Sequence, residues 1–280
     1  TIAHCAAYEG HTNILELIHD SLEPGVWDKI IRKQDSSGAT ALYLAVVNGQ
    51  THVVEQIKHW VKPDTWMELL IIKANTNTSC VFWAAYRNDT NILKSIKQSL
   101  SRDQWYQALQ ERIEYSEWTA LHSAVWQGHF NVVKLIYESL SEDQWYHLLR
   151  LGDKSGRAAL HLAAWTDDTE VVQLLRGTLH QRGDWYDLMK MTDKHGFTVL
   201  HIAVHTKNMQ IVSALKDTVD DPHMWRNLQC VPPPSAPMKF ATSSEFDFEN
   251  LTNAIDSLED MRDTIDQYFE SDCAGNMLAK

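Results

Sequence analysis

The chain has 280 residues, of which 44% are hydrophobic and 22% are charged, and its formal net charge is −12. This composition is typical of a globular protein, and the negative charge disfavours nonspecific binding to nucleic acid. The sequence has no run of 18 apolar residues, so it predicts no membrane span. Its four cysteines show no paired spacing, which favours a reducing, cytoplasmic compartment over a disulfide framework: Cys5, Cys80, Cys230 and Cys273.

A six-residue motif, seen as Thr119-Ala-Leu-His-Ser-Ala124, recurs six times along the chain. Its copies start at Thr1, Thr40, Ser79, Thr119, Ala158 and Thr198. A tryptophan recurs with the same spacing, at Trp27, Trp66, Trp105, Trp145, Trp185 and Trp225. Successive motifs are 39 or 40 residues apart, and such a fixed period predicts stacked structural repeats.

Each repeat is predicted to contain three helices. Helical spacing of leucine and alanine marks the first helix, and a pair of aliphatic residues marks the second. A third, short helix is expected to begin four residues before each tryptophan. Ser101 and Ser141 open capping boxes there, three other repeats have a proline (Pro24, Pro63, Pro222), and repeat five lacks a start signal. We expect the tryptophans to be buried, because they can anchor this extra length.

The chain must reverse direction after each first helix, and this reversal favours a residue that tolerates positive φ. The residues at this position are Gly10, Gly49, Asn88, Gly128, Asp167 and Lys207. Lysine tolerates this conformation poorly, so we expect Asn208 to take the turn in repeat six.

These motifs resemble the ankyrin repeat, whose Asp-x-x-Gly turn precedes Thr-x-Leu-His-x-Ala. The turns read Asp35–Gly38, Asp153–Gly156 and Asp193–Gly196. The resemblance covers about residues 1–230 and implies an all-α solenoid of helix-turn-helix repeats with β-turn tips. The repeats are about six residues longer than the usual ~33. The resemblance also implies that the motif histidines hydrogen-bond to backbone between neighbouring turns and do not bind metal: His4, His122, His161 and His201. Tyr43 and Phe82 replace this histidine, so the bond must be absent or remade there.

The repeats are expected to fill residues 1–231, divided as 1–34 (partial), 35–73, 74–113, 114–152, 153–192 and 193–231. A proline-rich linker, 232–244, and an acidic helical tail, 245–280, follow. Residues 239–280 hold ten acidic and three basic residues. Three roles for this amphipathic tail stay open: a solvated tether, a helix that pairs with another chain or continues a missing domain, and a segment that folds back into the chain's own groove. Because residue 1 already lies inside a motif, we expect a longer natural chain.

In the ankyrin family, partners bind the concave face and the turn tips. On that face, the positions seven and eight residues after the motif start include aromatic, polar and basic residues: Tyr8, Val47, Tyr86, Arg87, Trp126, Gln127, Trp165 and His205. At the tips we expect Tyr115, Trp118, Arg157 and Phe197 to join them, with Lys154 and Lys194 nearby. Contiguous exposed aromatics mark interfaces. The alternative is that these rings pack on each other or on the neighbouring repeat.

The predicted function is a non-catalytic scaffold or adaptor that binds another protein. Motifs for metalloproteases, phosphate loops, serine hydrolases and paired Cys-x-x-Cys sites are missing from the sequence, so we expect no enzyme activity, cofactor or metal. One alternative is a sensor or regulatory part of a larger receptor, channel or enzyme. Another is a bacterial effector directed at a host.

Overall fold

The computed structural model describes residues 1–75, 77–166, 168–180, 182–219 and 222–229. These residues form helices, turns and connecting segments, and no strand occurs among them. The predicted linker and acidic tail lie outside the described residues. The predicted division into repeats at the boundaries given above stays a prediction.

A first helix follows each motif start, and in most repeats the motif residue caps it; the first helix of repeat five forms although Ala158 makes no side-chain cap. The side chains of Thr40, Ser79, Thr119 and Thr198 accept a hydrogen bond from the backbone N–H three residues later, which satisfies a helix-end donor. The first helices are α1 (Ile2–Glu9), α4 (Ala41–Val47), α7 (Cys80–Tyr86), α10 (Ala120–Trp126), α13 (Ala159–Trp165) and α16 (Val199–His205).

A second helix follows after a short turn and buries its paired aliphatic residues, such as Val132 and Val133. Its opposite face is polar, as expected for a helix that packs on one side. The second helices are α2 (Thr12–Ser21), α5 (Thr51–Trp60), α8 (Thr90–Ser99), α11 (Phe130–Glu138), α14 (Thr169–Gly177) and α17 (Met209–Asp217).

The predicted third helix is present in all six repeats. Both capping boxes form, at Ser101 and Ser141, and α15 forms although repeat five has no start signal in its sequence. The third helices are α3 (Pro24–Ile31), α6 (Pro63–Ile71), α9 (Arg102–Gln110), α12 (Glu142–Arg150), α15 (Arg182–Lys190) and α18 (Pro222–Gln229).

The helices stack by type along the chain. Each first helix contacts the first helix of the next repeat, from α1 and α4 through α13 and α16, and the second helices do the same. The buried residues of the two layers form one continuous core, including Leu42, Val54 and Ile96. This is an all-α solenoid, in which each repeat contacts mainly its neighbours.

Five of the recurring tryptophans are buried, as predicted, from Trp27 through Trp185. The sixth, Trp225, is partly exposed, so the prediction is wrong there. Three of the buried tryptophans also join adjacent repeats by a hydrogen bond from the indole N–H to a hydroxyl at the end of the next second helix. The bonds are Trp105 to Ser139 at 2.8 Å, Trp145 to Thr178 at 2.8 Å and Trp185 to Thr218 at 2.7 Å. Within the described part of the chain, the buried indole N–H groups of Trp27 and Trp66 have no such partner.

The reversal after α16 differs from the prediction. Lys207 itself adopts positive φ, at 59°, as Asn88 does at 60° in repeat three. Asn208 instead has φ −82° and caps α17 through Ile211 N–H. The prediction that Asn208 takes the turn is therefore wrong, because the asparagine is needed one position later as a helix cap. Asp167, at the equivalent position of repeat five, lies outside the described residues.

Candidate functional site

The turn tips are held by aspartate side chains. The carboxylate of Asp153 accepts the backbone N–H groups of Ser155 and Arg157 at 2.9 and 2.8 Å, and Asp35 and Asp193 make the equivalent pair of bonds. The glycine three residues after each aspartate has φ between 79° and 86°, a conformation that glycine adopts without strain. The sequence Asp-x-x-Gly thus produces a rigid tip.

Neighbouring tips are joined through their backbones. Asn75 N–H donates to Ser37 C=O, Lys154 N–H to Ser116 C=O and Lys194 N–H to Ser155 C=O, each at 2.8 Å. These bonds hold consecutive tips in register. The exposed side chains of Tyr115, Lys154 and Lys194 therefore project from a fixed edge.

Three of the motif histidines, His4, His122 and His161, bond backbone between repeats, as the resemblance implied. For His201 this bond stays a prediction. The ring Nδ1 of His122 accepts the Thr119 N–H at 3.1 Å, so its Nε2–H is left to donate to Arg157 C=O at 3.2 Å. His161 donates in the same way to Met191 C=O at 3.0 Å, and His4 Nε2 lies 2.9 Å from Lys33 C=O. Each of these bonds connects a first helix to the turn region of the next repeat.

Burial keeps these histidines neutral. It lowers the pKa of His122 from its ordinary value of 6.5 to about 4, and the nearby Asp153 carboxylate opposes this effect only in part. Burial also lowers the pKa of His161. The pKa of His4 is lowered as well, and burial is the largest cause of that shift. A neutral imidazole supplies the one donor and one acceptor that the two bonds of His122 require.

Where histidine is missing, other side chains take its place. In repeat two the Tyr43 hydroxyl is hydrogen-bonded to the Thr78 hydroxyl at the next tip, and it accepts the Trp83 indole N–H at 2.6 Å. The link between repeats is thus remade there. In repeat three, Phe82 is buried and stacks on Tyr86 with ring centroids 6.4 Å apart.

Three aromatic side chains end three successive first helices: Tyr86, Trp126 and Trp165. We call them the aromatic row. All three are partly exposed. Because α7, α10 and α13 pack side by side, the three positions recur at about the 8–10 Å spacing of packed helices.

Tyr86 stands on a support of buried aromatics. Its ring stacks on Phe82 and meets Trp83 edge-on, with centroids 5.5 Å apart. Burial raises the pKa of Tyr86, although a hydrogen bond with the Gln127 side chain and the charge of Arg87 act in the opposite direction. The hydroxyl is therefore protonated at neutral pH. Both Gln127 and Arg87 are exposed beside it.

Trp126 has a similar support, which corrects one prediction. Its ring lies 5.7 Å from that of Trp118, and Trp118 is only 1% exposed. The Trp118 indole donates to the Asp153 carboxylate at 3.3 Å, and Asp153 pairs with Arg157 at 2.8 Å. The expectation that Trp118 is exposed at a tip is wrong, because it packs beneath Trp126 and bonds the next turn.

Phe197 is likewise buried, at 8% exposure, and packs edge-on to His201. Val47, in the same helix position as the aromatic row, is buried too. Tyr115 is exposed, as expected for a tip. Tyr8 and Arg157 are partly exposed, and His205 is exposed. Whether these residues contact a partner stays a prediction.

Sequence reasoning missed the supporting aromatics Phe82, Trp83 and Trp118. A signal for Trp118 was present: the equivalent position before the helix cap holds Ala39 in repeat two and Thr78 in repeat three, and both are small and buried. Such residues are not typical of an exposed tip. In repeat five, however, the equivalent position holds Arg157, which is partly exposed, so comparing the repeats does not by itself mark this site as internal.

The described residues contain no cluster of histidine, cysteine, aspartate and glutamate that could hold a metal ion. The two described cysteines, Cys5 and Cys80, are free thiols, and burial raises the pKa of Cys80 to about 12. Across the described ranges, every helix is too short or too polar to cross a membrane.

Comparisons with known proteins agree with this geometry. A family model of three ankyrin repeats matches residues 82–183, and a model of a single ankyrin repeat matches residues 195–223. No sequence among the curated proteins matches the chain.

Several solved structures share the fold. The ankyrin repeat domain of Bcl-3, a member of the IkappaB protein family, superposes with a TM-score of 0.61 at 20% identity, over 79% of this chain and 87% of that one. An ankyrin repeat domain from Acinetobacter baumannii AYE gives 0.58 at 20% identity, over 77% and 96%. A chain from the complex of the Bdellovibrio bacteriovorus endopeptidase Bd0816 with its immunity protein Bd3460 gives 0.58 at 16%, over 77% and 96%.

Stacked helix pairs, aspartate-held tips and histidines that bridge repeats define a helical repeat protein of the solenoid class. The two family matches identify ankyrin repeats in this chain within residues 82–183 and 195–223. Its repeats are distinguished by the third helix and its buried tryptophan. Ankyrin repeats are protein–protein interaction modules, and the family is typically non-catalytic.

Proposed function

We propose that this protein binds another protein through the aromatic row and the turn tips of its concave face, and that it performs no chemistry of its own. The observation that carries the proposal is the partial exposure of Tyr86, Trp126 and Trp165 on three successive first helices. Tyrosine and tryptophan dominate binding hot spots because they bury a large area with few rotatable bonds.

Rigid support favours this role. Tyr86 rests on Phe82 and Trp83, and Trp126 rests on Trp118, which is itself bonded to Asp153. A ring that is already ordered in the free protein loses little conformational entropy when a partner covers it. More of the free energy gained by burying such rings therefore contributes to the binding affinity.

The tips supply charge. Lys154 and Lys194 are exposed on adjacent tips, whereas the aspartates of the same turns are buried and bonded to backbone. The tip edge of repeats five and six thus presents cations with few competing exposed carboxylates of its own turns. Such groups select a partner and speed its association more than they raise its affinity.

The test is affinity capture from a matched lysate with the wild-type chain and the Trp126→Ala variant. A specific partner should lose at least about 2 kcal/mol of binding free energy, which is roughly a thirtyfold weaker Kd. The melting temperature should change by less than about 4 °C, because the ring is partly exposed.

Tyr146→Ala is the matched control, since Tyr146 is also a partly exposed aromatic but lies on α12, a third helix. It should capture the partner as the wild type does. If Trp126→Ala lowers the melting temperature strongly, Trp126 is a core residue and the proposal fails at that position. A partner that is retained by Trp126→Ala and lost by Tyr146→Ala would move the binding surface to the third helices.

A further inference from the structure

A second set of aromatic side chains lies on the third helices. Tyr106, Tyr146 and Tyr186 directly follow the buried tryptophans of α9, α12 and α15, and all three are partly exposed. Because α12 contacts both α9 and α15, the tyrosines form a row of their own, which shares no residue with the aromatic row. We call the surface around them the tyrosine face. Neighbouring, partly exposed tyrosines are typical of protein interfaces.

Polar side chains hold these rings in place. The Tyr106 hydroxyl and His147 Nδ1 are hydrogen-bonded at 2.8 Å, which connects α9 to α12. Arg150 donates to the Tyr146 hydroxyl at 3.0 Å, and its guanidinium carbon lies 5.4 Å from the centre of that ring. On α15 the Lys190 nitrogen covers the tyrosine ring in the same way, at 5.4 Å. Rings that are ordered in this way lose little conformational entropy when another protein covers them.

The charges of the tyrosine face are separated into two edges. Three residues before the tyrosine, α9 and α12 carry Asp103 and Asp143. Four residues after the tyrosine, α12 and α15 carry Arg150 and Lys190. Residues at these spacings lie on one side of a helix, and all four charged side chains are exposed. The tyrosine face therefore has an acidic edge at the N-terminal ends of its helices and a basic edge at their C-terminal ends.

These edges make the face complementary to a second copy of itself. Asp143 and Arg150 are about 10.5 Å apart along α12, and neither forms a salt bridge within the described residues. If a second copy is turned about a twofold axis that runs across the three helices, its α12 lies antiparallel to the first. Asp143 of each copy then opposes Arg150 of the other. A parallel arrangement would instead place like charges opposite each other, which is unfavourable.

The flanking helices accept the antiparallel arrangement. On α9, Asp103 opposes Gln110 of the other copy, whose neutral amide can donate to the carboxylate. On α15, Lys190 opposes Gly183. A Cβ added at Gly183 would meet no atom within 4 Å, so the packing of the chain itself does not require glycine there, although glycine weakens a helix. The missing side chain leaves room for the lysine of the second copy.

We infer that the tyrosine face is a homodimer interface, in which two copies of this chain pack α9, α12 and α15 antiparallel about a twofold axis. Such a contact makes each interaction twice, so the pair between Asp143 and Arg150 forms two times. The two Tyr146 rings supply the centre. A face of three nine-residue helices is smaller than a standard interface of about 800 Å² per partner, so the dimer is weak and depends on concentration.

The test exchanges the charges of the central helix and follows the full chain by sedimentation equilibrium. Asp143→Arg and Arg150→Asp should each weaken the dimer by at least about tenfold, because each variant places like charges opposite each other twice. An equimolar mixture of the two variants should form a heterodimer at least about tenfold tighter than either homodimer, since opposite charges then meet at both edges. The double variant should dimerise as the wild type does.

Lys94→Asp is the matched control, because Lys94 is exposed on α8, a second helix, and the substitution changes the net charge as much as Arg150→Asp does. It should leave the dimer unchanged. Circular dichroism checks that every variant is folded. Tyr146→Ala tests the face without a change of charge: it should weaken the dimer by at least about threefold and still bind the partner of the aromatic row.

A wild-type chain that stays monomeric at every concentration would overturn the inference. So would a mixture of the two charge variants that associates no better than either variant alone. If Lys94→Asp weakens the dimer as much as Arg150→Asp, net charge and not the tyrosine face controls the association. A dimer that is lost in Trp126→Ala would place self-association on the concave face instead. The inference does not depend on the function proposed above, since the two surfaces share no residue.

Discussion

At the scale of the residue, the side chain that precedes the cap of a first helix is buried in repeat four and partly exposed in repeat five, as Trp118 and Arg157 show. Trp118 occupies this position and is buried beneath Trp126. It joins the aromatic row to the tip, because its indole bonds Asp153 and Asp153 pairs with Arg157. A residue that sequence analysis placed in the binding surface thus supports that surface from below.

Lys207 shows that a required backbone conformation can override residue preference. A left-handed conformation costs an L-residue about 1–2 kcal/mol relative to the right-handed one. The turn keeps the geometry found at Gly10 and Gly128 even though repeat six has lysine there. Packing of α16 against α13 and of α17 against α14 outweighs this local cost.

The buried His122 predicts a pH dependence of stability. Its pKa is about 4 in the folded chain and near 6.5 when unfolded, so the unfolded chain binds more protons between these values. The stabilisation is complete above pH 6.5 and decreases as the pH falls toward 4. The full loss is on the order of 3 kcal/mol, at ~1.4 kcal/mol per pKa unit.

Urea unfolding at several pH values between 4 and 7 measures this effect. His122→Gln should be less stable than the wild type at neutral pH and should lose less stability on acidification. His147→Gln is the control, because His147 is exposed on α12, and it should follow the wild-type curve. If His122→Gln keeps the full wild-type slope, the acid sensitivity comes from other groups.

At the scale of the element, the third helix lengthens each repeat and also fastens it to the next. The tryptophans of α9, α12 and α15 bury their rings and donate to hydroxyls of the following repeat. Trp27 uses a different contact, since it meets Trp60 of repeat two edge-on, with centroids 5.7 Å apart. The extra helix is therefore part of the stacking interface.

This difference predicts unequal effects for the same substitution. Trp145→Phe removes the bond to Thr178, whereas the buried N–H of Trp66 has no partner within the described residues. Trp145→Phe should therefore destabilise the protein by about 1–2 kcal/mol more than Trp66→Phe. Urea unfolding followed by circular dichroism gives both values.

Thr178→Val provides the reciprocal test, because it keeps the shape of the side chain and leaves the Trp145 indole N–H unpaired. It should cost about 1–3 kcal/mol. Equal losses for the two tryptophan variants, together with a neutral Thr178→Val, would show that the indole bond contributes nothing and that burial of the ring is sufficient.

At the scale of the whole molecule, the stacking of repeats brings single residues of different repeats together in one surface. One aromatic side chain at the end of one helix is common, but repetition places Tyr86, Trp126 and Trp165 side by side on α7, α10 and α13. A partner that lies across the ends of these helices meets all three rings. The proposed binding surface is thus a consequence of the repeat period and of no single repeat.

We therefore expect Tyr86→Ala and Trp165→Ala each to weaken the partner that Trp126→Ala weakens. Each should cost at least about 1 kcal/mol, and isothermal titration calorimetry with the purified partner measures the change. Gln107→Ala on α9, an exposed residue of a third helix, serves as control. If only Trp126→Ala weakens binding, the partner depends on Trp126 alone and not on the whole aromatic row.

Much of this architecture could be predicted from the sequence, because repetition supplies six observations of one unit. The period, the three helices, the burial of Trp105 and Trp145 and the backbone bonding of His122 follow from spacing, capping and family resemblance, and the structure confirms them. The exposure of Trp118 and Phe197 could not be predicted in this way, since an aromatic residue at a turn fits either a surface or a core.

The sequence by itself determined which residues repeat, where the helices begin and which family the chain resembles, because these depend on interactions within a few residues. Only the tertiary structure decided that Trp118 supports Trp126 and that Lys207 takes the left-handed turn. Each of these outcomes depends on which repeat lies next to which, and burial against a neighbouring repeat is a property of contacts between residues far apart in the chain.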